Sequence, residues 1–427
     1  MPLPFFDALE TRNPDSRERD LLAALPAQIA HAKAKAPYYA RVLADVNPAA
    51  VSSRAALAAL PVTRKNDLID LQKKAPPFGG LAAIPPGAAA RVFMSPGPIY
   101  EPEGRKADFW RLARALHAAG FRRGDLVHNS FAYHLTPGGA MLESAALALG
   151  CSVFPGGVGQ TELQLRAMTE LSPAAYVGTP SFLKILLDRA RETGADISSL
   201  KRAVVSGEAF PPPLQQTMRE SGIDAYQCYV TADLGLIAYE SAAREGLILD
   251  EQIIVELLRP GTGDPVAPGE VGEVTVTLLD ETYPLLRFAT GDLSALLPGK
   301  SPCGRTNARI RGWLGRADQT TKVKGLFVHP AQIAEILKRH PPLARGRLIV
   351  TNDGTSDALI LEAEAPADAD AGLARAAEAT LAAVTRLKGA VRLVAAGSLP
   401  IDGKVIDDRR PPVGKAEDSG EKPGVKT

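Results

Sequence analysis

Apolar and polar positions follow three different rhythms along this chain. From residue 15 to 60 an Ala-rich stretch predicts short helices, with Tyr38-Tyr39 inside them. A belt from Pro76 to Gly104 follows, containing PPFGG, IPPG and SPGPIYEPEG. That density of proline and glycine predicts no regular element. From Lys106 the pattern alternates. Helical spacing at 107–119 gives way to a buried strand at Asp125–Phe131, then a helix at Thr136–Leu149 with Thr136 as N-cap and Pro137 in its first position. The strand-like CSVFP, the helical Glu162–Leu171, the strand-like AAYVG and the helical Ser181–Arg191 continue the alternation. Thr179-Pro180 supplies an N-cap and Gly194 a C-terminal stop. RAVVSG, a helix near Pro213–Glu220 and AYQCYV complete it, which predicts a layered α/β architecture around a largely parallel sheet. After Asp250 the rhythm becomes period two. IIVELL and GEVTVTLL flank the turn-rich PGTGDPVAPGEVG and predict an antiparallel β region. Beyond Arg316 come KVKG, a helix near Pro330–Arg339, strands RLIVT and ALILEAEA, a helix across 370–386 and the strand VRLVAAG, a small α+β unit.

Composition narrows the functional classes. At 427 residues the chain exceeds one ordinary core, so a large domain and a smaller one are expected. Lys plus Arg number 49 and Asp plus Glu 48, a net charge of +1, so no whole-molecule field draws in nucleic acid or an anionic membrane surface. Cys151, Cys228 and Cys303 are scattered without CxxC spacing, which argues for free thiols rather than a disulfide framework or a zinc site. The N-terminal segment turns polar within seven residues, unlike a signal peptide, and no apolar run is long enough to span a bilayer. A cytoplasmic location is expected.

Four segments carry candidate chemistry. Ser206-Gly207-Glu208-Ala209 is a small-residue turn after the apolar RAVV, where open α/β sheets bind ligands. Tyr229-Val230-Thr231-Ala232-Asp233 also lies just beyond a strand and offers a ring for a purine, a hydroxyl for a phosphate and a carboxylate for Mg²⁺. Arg287-Phe288-Ala289-Thr290-Gly291-Asp292 places a carboxylate at a tight turn, suited to accepting two hydrogen bonds from a ribose diol. Gly403-Lys404 puts a lysine on a loop between strands, as a mobile point charge. Each alone is weak.

In this order, and with LPVTRKNDL at 60–68, PCGRT, GRADQTTKVKGLFVHPAQIAEIL, SLPIDGK and DDRR, they resemble the motif series of the adenylate-forming superfamily, in particular its phenylacetate–CoA ligase branch. The resemblance runs over nearly the whole chain. It implies the adenylate-forming fold: a large α/β N-terminal domain with a β-barrel-like subdomain over 1–316 and a small mobile α+β domain over 317–410; the tail at 411–427, polar and rich in Gly and Pro, is expected to be disordered. It implies an ATP-dependent ligase that joins a small-molecule acid to AMP and then to CoA, with Mg²⁺, and it suggests a homodimer. Position by position, Ser206, Gly207 and Glu208 would line the adenine side, with Tyr229 against the purine. Thr231 would touch the α-phosphate, Asp233 would bind Mg²⁺, Asp292 would hold the ribose and Arg316 would approach the phosphate or ribose. Asp318 would be the hinge, Lys404 would bridge the acid's carboxylate and the α-phosphate, and Lys322, Lys324 and Gly325 would border the thiol tunnel.

The sequence departs from the family's Ser/Thr/Gly-rich phosphate loop at Ser95–Gly104, where three prolines lack N–H donors and two glutamates repel phosphate. Ser95 and Gly97 are the residues left to assist there, with Tyr100 beside them. Asp233 stands where the family has Glu. Phe131, Tyr133 and His134, with Pro155-Gly156-Gly157 as a second wall, are the candidates for an acyl pocket that takes an aromatic or other small apolar acid. His134 is equally compatible with a structural role. Two other readings remain open: an acyl-adenylating enzyme with an acceptor other than CoA, and a non-catalytic nucleotide- or acyl-binding homologue, which the altered loop favours.

Overall fold

The computed structural model describes residues 4–323, 326–352, 357–400 and 404–410. Internal contacts divide the chain into two units, Met1–Leu314 and Gly315–Thr427.

The first unit begins with one long helix, α1 (Pro14–Lys35), instead of the short helices expected, followed by the short α2 (Pro37–Val42) and α3 (Arg54–Ala58). Asn13 caps α1 through the Asp15 and Ser16 amides, and Leu21, Leu25, Ile29 and Ala32 form the buried stripe that docks it. Pro26 lies inside α1 and does not end it. A two-residue strand, β1 (Thr63–Arg64), leads to α4 (Leu68–Lys74).

The Pro/Gly belt contains a β-hairpin, where no regular element was expected. β2 (Arg91–Ser95) pairs antiparallel with β3 (Ile99–Glu103) around Pro96-Gly97-Pro98, with Ser95 opposite Ile99. Proline is tolerated because this is an isolated two-stranded ribbon, in which a missing N–H can face outward.

The helix expected over 107–119 is confined to α5 (Ala113–Ala118). Then come β4 (Leu126–Asn129), α6 (Gly138–Ala148), β5 (Ser152–Pro155), α7 (Thr161–Leu171), β6 (Ala175–Gly178), α8 (Pro180–Thr193), β7 (Arg202–Val205), α9 (Pro212–Glu220), β8 (Asp224–Thr231), β9 (Gly235–Glu240) and β10 (Leu247–Leu249). Thr179 caps α8 through the Phe182 amide and Gly194 ends it in the left-handed conformation, as the sequence implied. Thr136 does not cap α6: the N-cap is Pro137, without a side-chain hydrogen bond.

Strands β11 (Ile253–Leu258), β12 (Gly272–Leu278), β13 (Phe288–Ser294), β14 (Leu296–Leu297) and β15 (Arg309–Ile310) complete the unit. The large sheet has the order β14-β15-β10-β9-β8-β7-β6-β4-β5. Neighbours from β8 to β5 are parallel and those from β14 to β8 antiparallel. A second sheet, β1-β13-β12-β11, is the expected antiparallel region with β1 added in parallel.

That addition depends on Arg287. Its side chain is buried and forms a two-pronged ion pair with Glu256, Nε to Oε2 and Nη2 to Oε1, both at 3.0 Å. The remaining N–H groups donate to the carbonyls of Ala58, Leu60 and Gly263, and its own carbonyl accepts from Thr63 N at 3.0 Å. The guanidinium therefore joins α3 and the segment before β1 to β11, while the Arg287 carbonyl holds β1 itself.

In the second unit, β16 (Thr321–Val323) and β17 (Leu326–Val328) form a hairpin. They precede α10 (Pro330–Arg339), β18 (Gly346–Asn352), β19 (Asp357–Ala365), α11 (Ala371–Thr385), β20 (Ala390–Ala395) and β21 (Ile406–Asp408). The sheet order is β20-β19-β18-β21, with α10 and α11 burying Ile333, Ile336, Ala377 and Leu381 in its core. The tail at 411–427, expected to be disordered, lies outside the described residues. Among the described residues no helix is long and apolar enough to cross a membrane, and all three cysteines are free thiols.

Arg287→Ala is expected to destabilise the first unit by about 3–5 kcal/mol, because it leaves Glu256 buried and uncompensated. Urea unfolding measures this, and a loss below about 1 kcal/mol would show that the pair is dispensable.

Candidate active site

The parallel half of the large sheet presents the carboxyl ends of β8, β7, β6, β4 and β5 side by side, in that spatial order. Ligands of open α/β sheets sit along such an edge, because the loops there are free of ladder hydrogen bonds. At β7 and β8 lies a cleft of about 580 Å³, bordered by Ser206-Gly207-Glu208, Tyr229, Asp292 and Trp313. Four of the sequence candidates for nucleotide binding thus share one cavity with Asp292. Two of them are held by neighbouring segments. Ser206 Oγ donates to the Cys228 carbonyl at 2.9 Å, and Glu208 Oε1 accepts from the Ser181 amide at 2.7 Å.

Asp292 is not at a tight turn, as its sequence suggested, but on a bulge in β13. Register jumps from the Glu273–Leu293 pair to the Thr275–Ala289 pair, with Gly291 at φ +78°. The extra residues on β13 bend the strand and aim the Asp292 side chain toward the cleft. Its carboxylate is then oriented from two sides: Oδ2 accepts from the Tyr229 hydroxyl at 2.8 Å, and Oδ1 from Trp313 Nε1 at 3.1 Å. Sequence reasoning missed Trp313. It is one of only two tryptophans, and the structure leaves it about half exposed.

Beyond Thr231, whose Oγ1 accepts from the Leu234 amide, Asp233 is buried. Its Oδ2 accepts from Lys65 Nζ at 2.6 Å, while Oδ1 has no hydrogen-bond partner. Burial by itself pulls the Lys65 pKa down; the Asp233 carboxylate, with Glu101 and Asp292 further off, outweighs that and leaves it raised. Lys65 reaches this point because β1 ends one residue before it. Its role was not anticipated, although it lies within the LPVTRKNDL segment.

The hairpin's Glu101 is the second buried carboxyl here. Ser95 Oγ donates to its Oε1 at 2.5 Å, and its Oε2 has no partner. Burial, then repulsion from Asp233, raises its pKa to about 8, against the opposing effects of Ser95 and Lys65. Ser95 is therefore engaged with Glu101, and Gly97 lies in the hairpin turn, where an added Cβ would come within 2.8 Å of Ile99. The segment is a packed hairpin, not a loop of converging N–H donors.

At the β4 end, Phe131 and Tyr133 are half-buried and His134 is exposed. Asn129 Nδ2 donates to the Tyr133 hydroxyl at 2.8 Å and to the Gly139 carbonyl at 2.9 Å. The Gly157 amide, at the end of β5, donates to the Asn129 carbonyl at 3.0 Å. A Cβ on Gly207 would lie 3.7 Å from the Phe131 ring, so the aromatic wall adjoins the cleft.

In the second unit, Arg316 pairs with Asp318 at 3.5 Å, in a short 3₁₀ turn. Lys404 is exposed, and its neighbour Val405 is fixed by its amide donating to Gln319 Oε1 at 2.8 Å. Lys322 lies on β16; Lys324 and Gly325 lie outside the described residues.

A model of the AMP-binding enzyme family matches residues 132–277. The chain is 31% identical over 384 residues to the phenylacetate–coenzyme A ligase of Aromatoleum evansii, covering 86% of each chain. It is 32% identical over 354 residues to the phenylacetate–coenzyme A ligase of Thermus thermophilus, covering 79% of this chain and 78% of that one. Among solved structures, an open conformation of 2-hydroxyisobutyryl-CoA ligase in complex with 2-HIB-AMP and CoA shares its fold, with a TM-score of 0.84 at 24% identity over 95% of both chains.

A carboxyl with a higher pKa folded than unfolded binds more protons in the folded state. The stability contributed by Glu101 is therefore full below its ordinary 4.5 and is lost as pH rises through about 8. The stability of the wild type relative to Glu101→Gln is expected to fall over this range, measured by urea unfolding at several pH values. A pH-independent difference would contradict the raised pKa.

Proposed function

This chain belongs to the phenylacetate–coenzyme A ligase family of adenylate-forming enzymes, and from that premise we propose that it joins an aromatic carboxylic acid to coenzyme A, using ATP and passing through an acyl-adenylate. The observation that carries this reading is the Asp292 carboxylate, oriented by Tyr229 and Trp313 at a cleft of nucleotide size. In this reading the Ser206–Glu208 turn and the Tyr229 ring border adenine. Asp292 accepts from the ribose hydroxyls, and Thr231 and Arg316 serve the α-phosphate. Asp318 is the hinge of a small domain comprising 317–410.

An acid's carboxylate is a weak nucleophile, and its own oxygen is a poor leaving group. Adenylation solves both problems. A carboxylate oxygen attacks the α-phosphorus, the bond to the β-phosphate oxygen breaks in line, and pyrophosphate leaves with the electron pair. Lys404 is assigned the positive charge that offsets the growing negative charge on the α-phosphate and orients the carboxylate. The buried, partnerless Oδ1 of Asp233 fits a ligand for Mg²⁺, which, held there, would supply positive charge to offset the negative charge of the phosphates. In the second half-reaction the thiol sulfur of CoA bonds to the acyl carbon, AMP departs with the electrons of the anhydride bond, and the thiol proton passes to solvent. Lys322, Lys324 and Gly325 are assigned to the thiol's path.

A second reading, a nucleotide- or acyl-binding homologue without catalysis, is favoured by one observation: Ser95 and Glu101 are bonded to each other within a packed hairpin where the family has its phosphate loop. A library of acids assayed for pyrophosphate release, with and without CoA, separates the readings. Acid-dependent release with CoA thioester formed is expected. Release indifferent to CoA points to another acceptor. AMP binding without release for any acid supports the non-catalytic reading.

Lys404→Ala is expected to slow adenylation by about 10²–10³-fold, comparable to removal of one preorganised electrostatic group. Thioester formation from a supplied acyl-adenylate should be spared. Equal loss in both half-reactions, measured separately, would remove Lys404 from its assigned role.

A further inference from the structure

A buried polar chain behind the acyl wall is not used by the reading above. His128, on β4, is 1% exposed and lies between the rings of Phe154, at 5.2 Å, and Tyr176, stacked at 6.2 Å. Its Nε2 lies 2.7 Å from Oε1 of Gln164, which projects from α7 and is also buried. The amide nitrogen of Gln164 donates to two carbonyls of the loop after β5, Gly157 O at 2.8 Å and Gly159 O at 2.6 Å.

These contacts fix their own chemistry. Carbonyl oxygens only accept, so the Gln164 amide must turn its NH₂ toward the loop and its oxygen toward His128. The imidazole must then carry its proton on Nε2 and donate it. Burial lowers the pKa of His128, partly countered by Gln164, which keeps the ring neutral and this arrangement intact.

The loop so held, Pro155–Gly159, contains three glycines and an exposed Val158, so it has little side-chain packing of its own to define its shape. Gly156 is pressed against the pair: an added Cβ would fall 2.8 Å from Gln164 Oε1 and 3.0 Å from His128 Nε2. Gly157, at φ +70°, faces the other way, since a Cβ there would meet nothing within 4 Å. Through its amide, Gly157 is one hydrogen bond from Asn129, which is one more from the Tyr133 hydroxyl.

We propose that Gln164, oriented by His128, is a specificity-determining positioning residue that fixes the glycine loop as a flat wall of the acyl pocket opposite Phe131 and Tyr133, and thereby selects flat aromatic acids over bulkier branched ones. This rests on the acyl-adenylate reading above. A glycine wall gives an aromatic ring a planar peptide surface with no Cβ in the way, and only a backbone held at both Gly157 and Gly159 keeps that surface fixed.

Gln164→Glu keeps the shape but cannot donate to the two carbonyls; Gln164→Ala removes both bonds; Gly157→Ala places a methyl group on the open face. Each is assayed with benzoate, phenylacetate and a branched aliphatic acid for pyrophosphate release, and for binding of AMP and of the matching acyl-sulfamoyladenosines. In both Gln164 variants the aromatic-to-branched ratio of kcat/KM, or of analogue affinity, is expected to drop by about tenfold or more, while the KM for ATP and the affinity for AMP change little. In Gly157→Ala the aromatic acids should lose most. Ratios preserved in the Gln164 variants, whatever happens to overall rate, overturn the proposal. If Gln164→Ala fails to fold, Gln164→Glu and Gly157→Ala decide by the same ratios. A wild-type chain that binds AMP and the analogues but releases no pyrophosphate sinks the ligase reading alone, and one that binds no analogue sinks both.

Discussion

The guanidinium of Arg287 is the interaction on which the site's geometry depends. It is buried, paired with Glu256, and satisfied by three backbone carbonyls that belong to segments far apart in the chain. Because its own carbonyl accepts from Thr63, β1 is held parallel to β13. Lys65 follows β1, and Asp292 lies on β13. A positive charge from the N-terminal region and a carboxylate from the second sheet are thus carried on two segments that the β1–β13 pairing places side by side.

Charge balance within the unit follows from that delivery. Asp233 and Glu101 are both buried, and two buried carboxylates near each other cannot both ionise without compensation. Lys65 compensates Asp233 directly, and Glu101 is relieved by protonation and by Ser95. The hairpin carrying Ser95 and Glu101 is thereby tied electrostatically to the Lys65–Asp233 pair. Around the ends of β4 and β5 neutral groups dominate: His128, Gln164 and Asn129 form hydrogen bonds whose directions are dictated by the oxygen acceptors they meet.

Much of the fold was legible in the sequence wherever local chemistry and burial agree. Thr179 and Gly194 mark the ends of α8 because capping is a local hydrogen-bonding requirement. RAVV and AAYVG read as buried strands because strands covered on both faces need continuous apolar runs. The hairpin at 91–103 was not legible, since its prolines are breakers by local rules and are tolerated only in an isolated ribbon. Thr136-Pro137 had the form of a cap, yet the chain there turns one residue later. Four of the nucleotide-site candidates share a cleft with Asp292, but Trp313 gave no local sign of bonding Asp292, nor Lys65 of pairing with Asp233.

The sequence by itself determined the alternation of elements, the family, and which residue types stand at the carboxyl ends of the strands, because each is written in residues close together in the chain. Tertiary structure alone decided that Asp292 sits on a bulge and is oriented by Tyr229 and Trp313, that Lys65 neutralises Asp233, and that Gln164 meets His128. These are contacts between segments whose separation in sequence carries no distance information. Their energies come from burial, and burial exists only once the chain has closed around them.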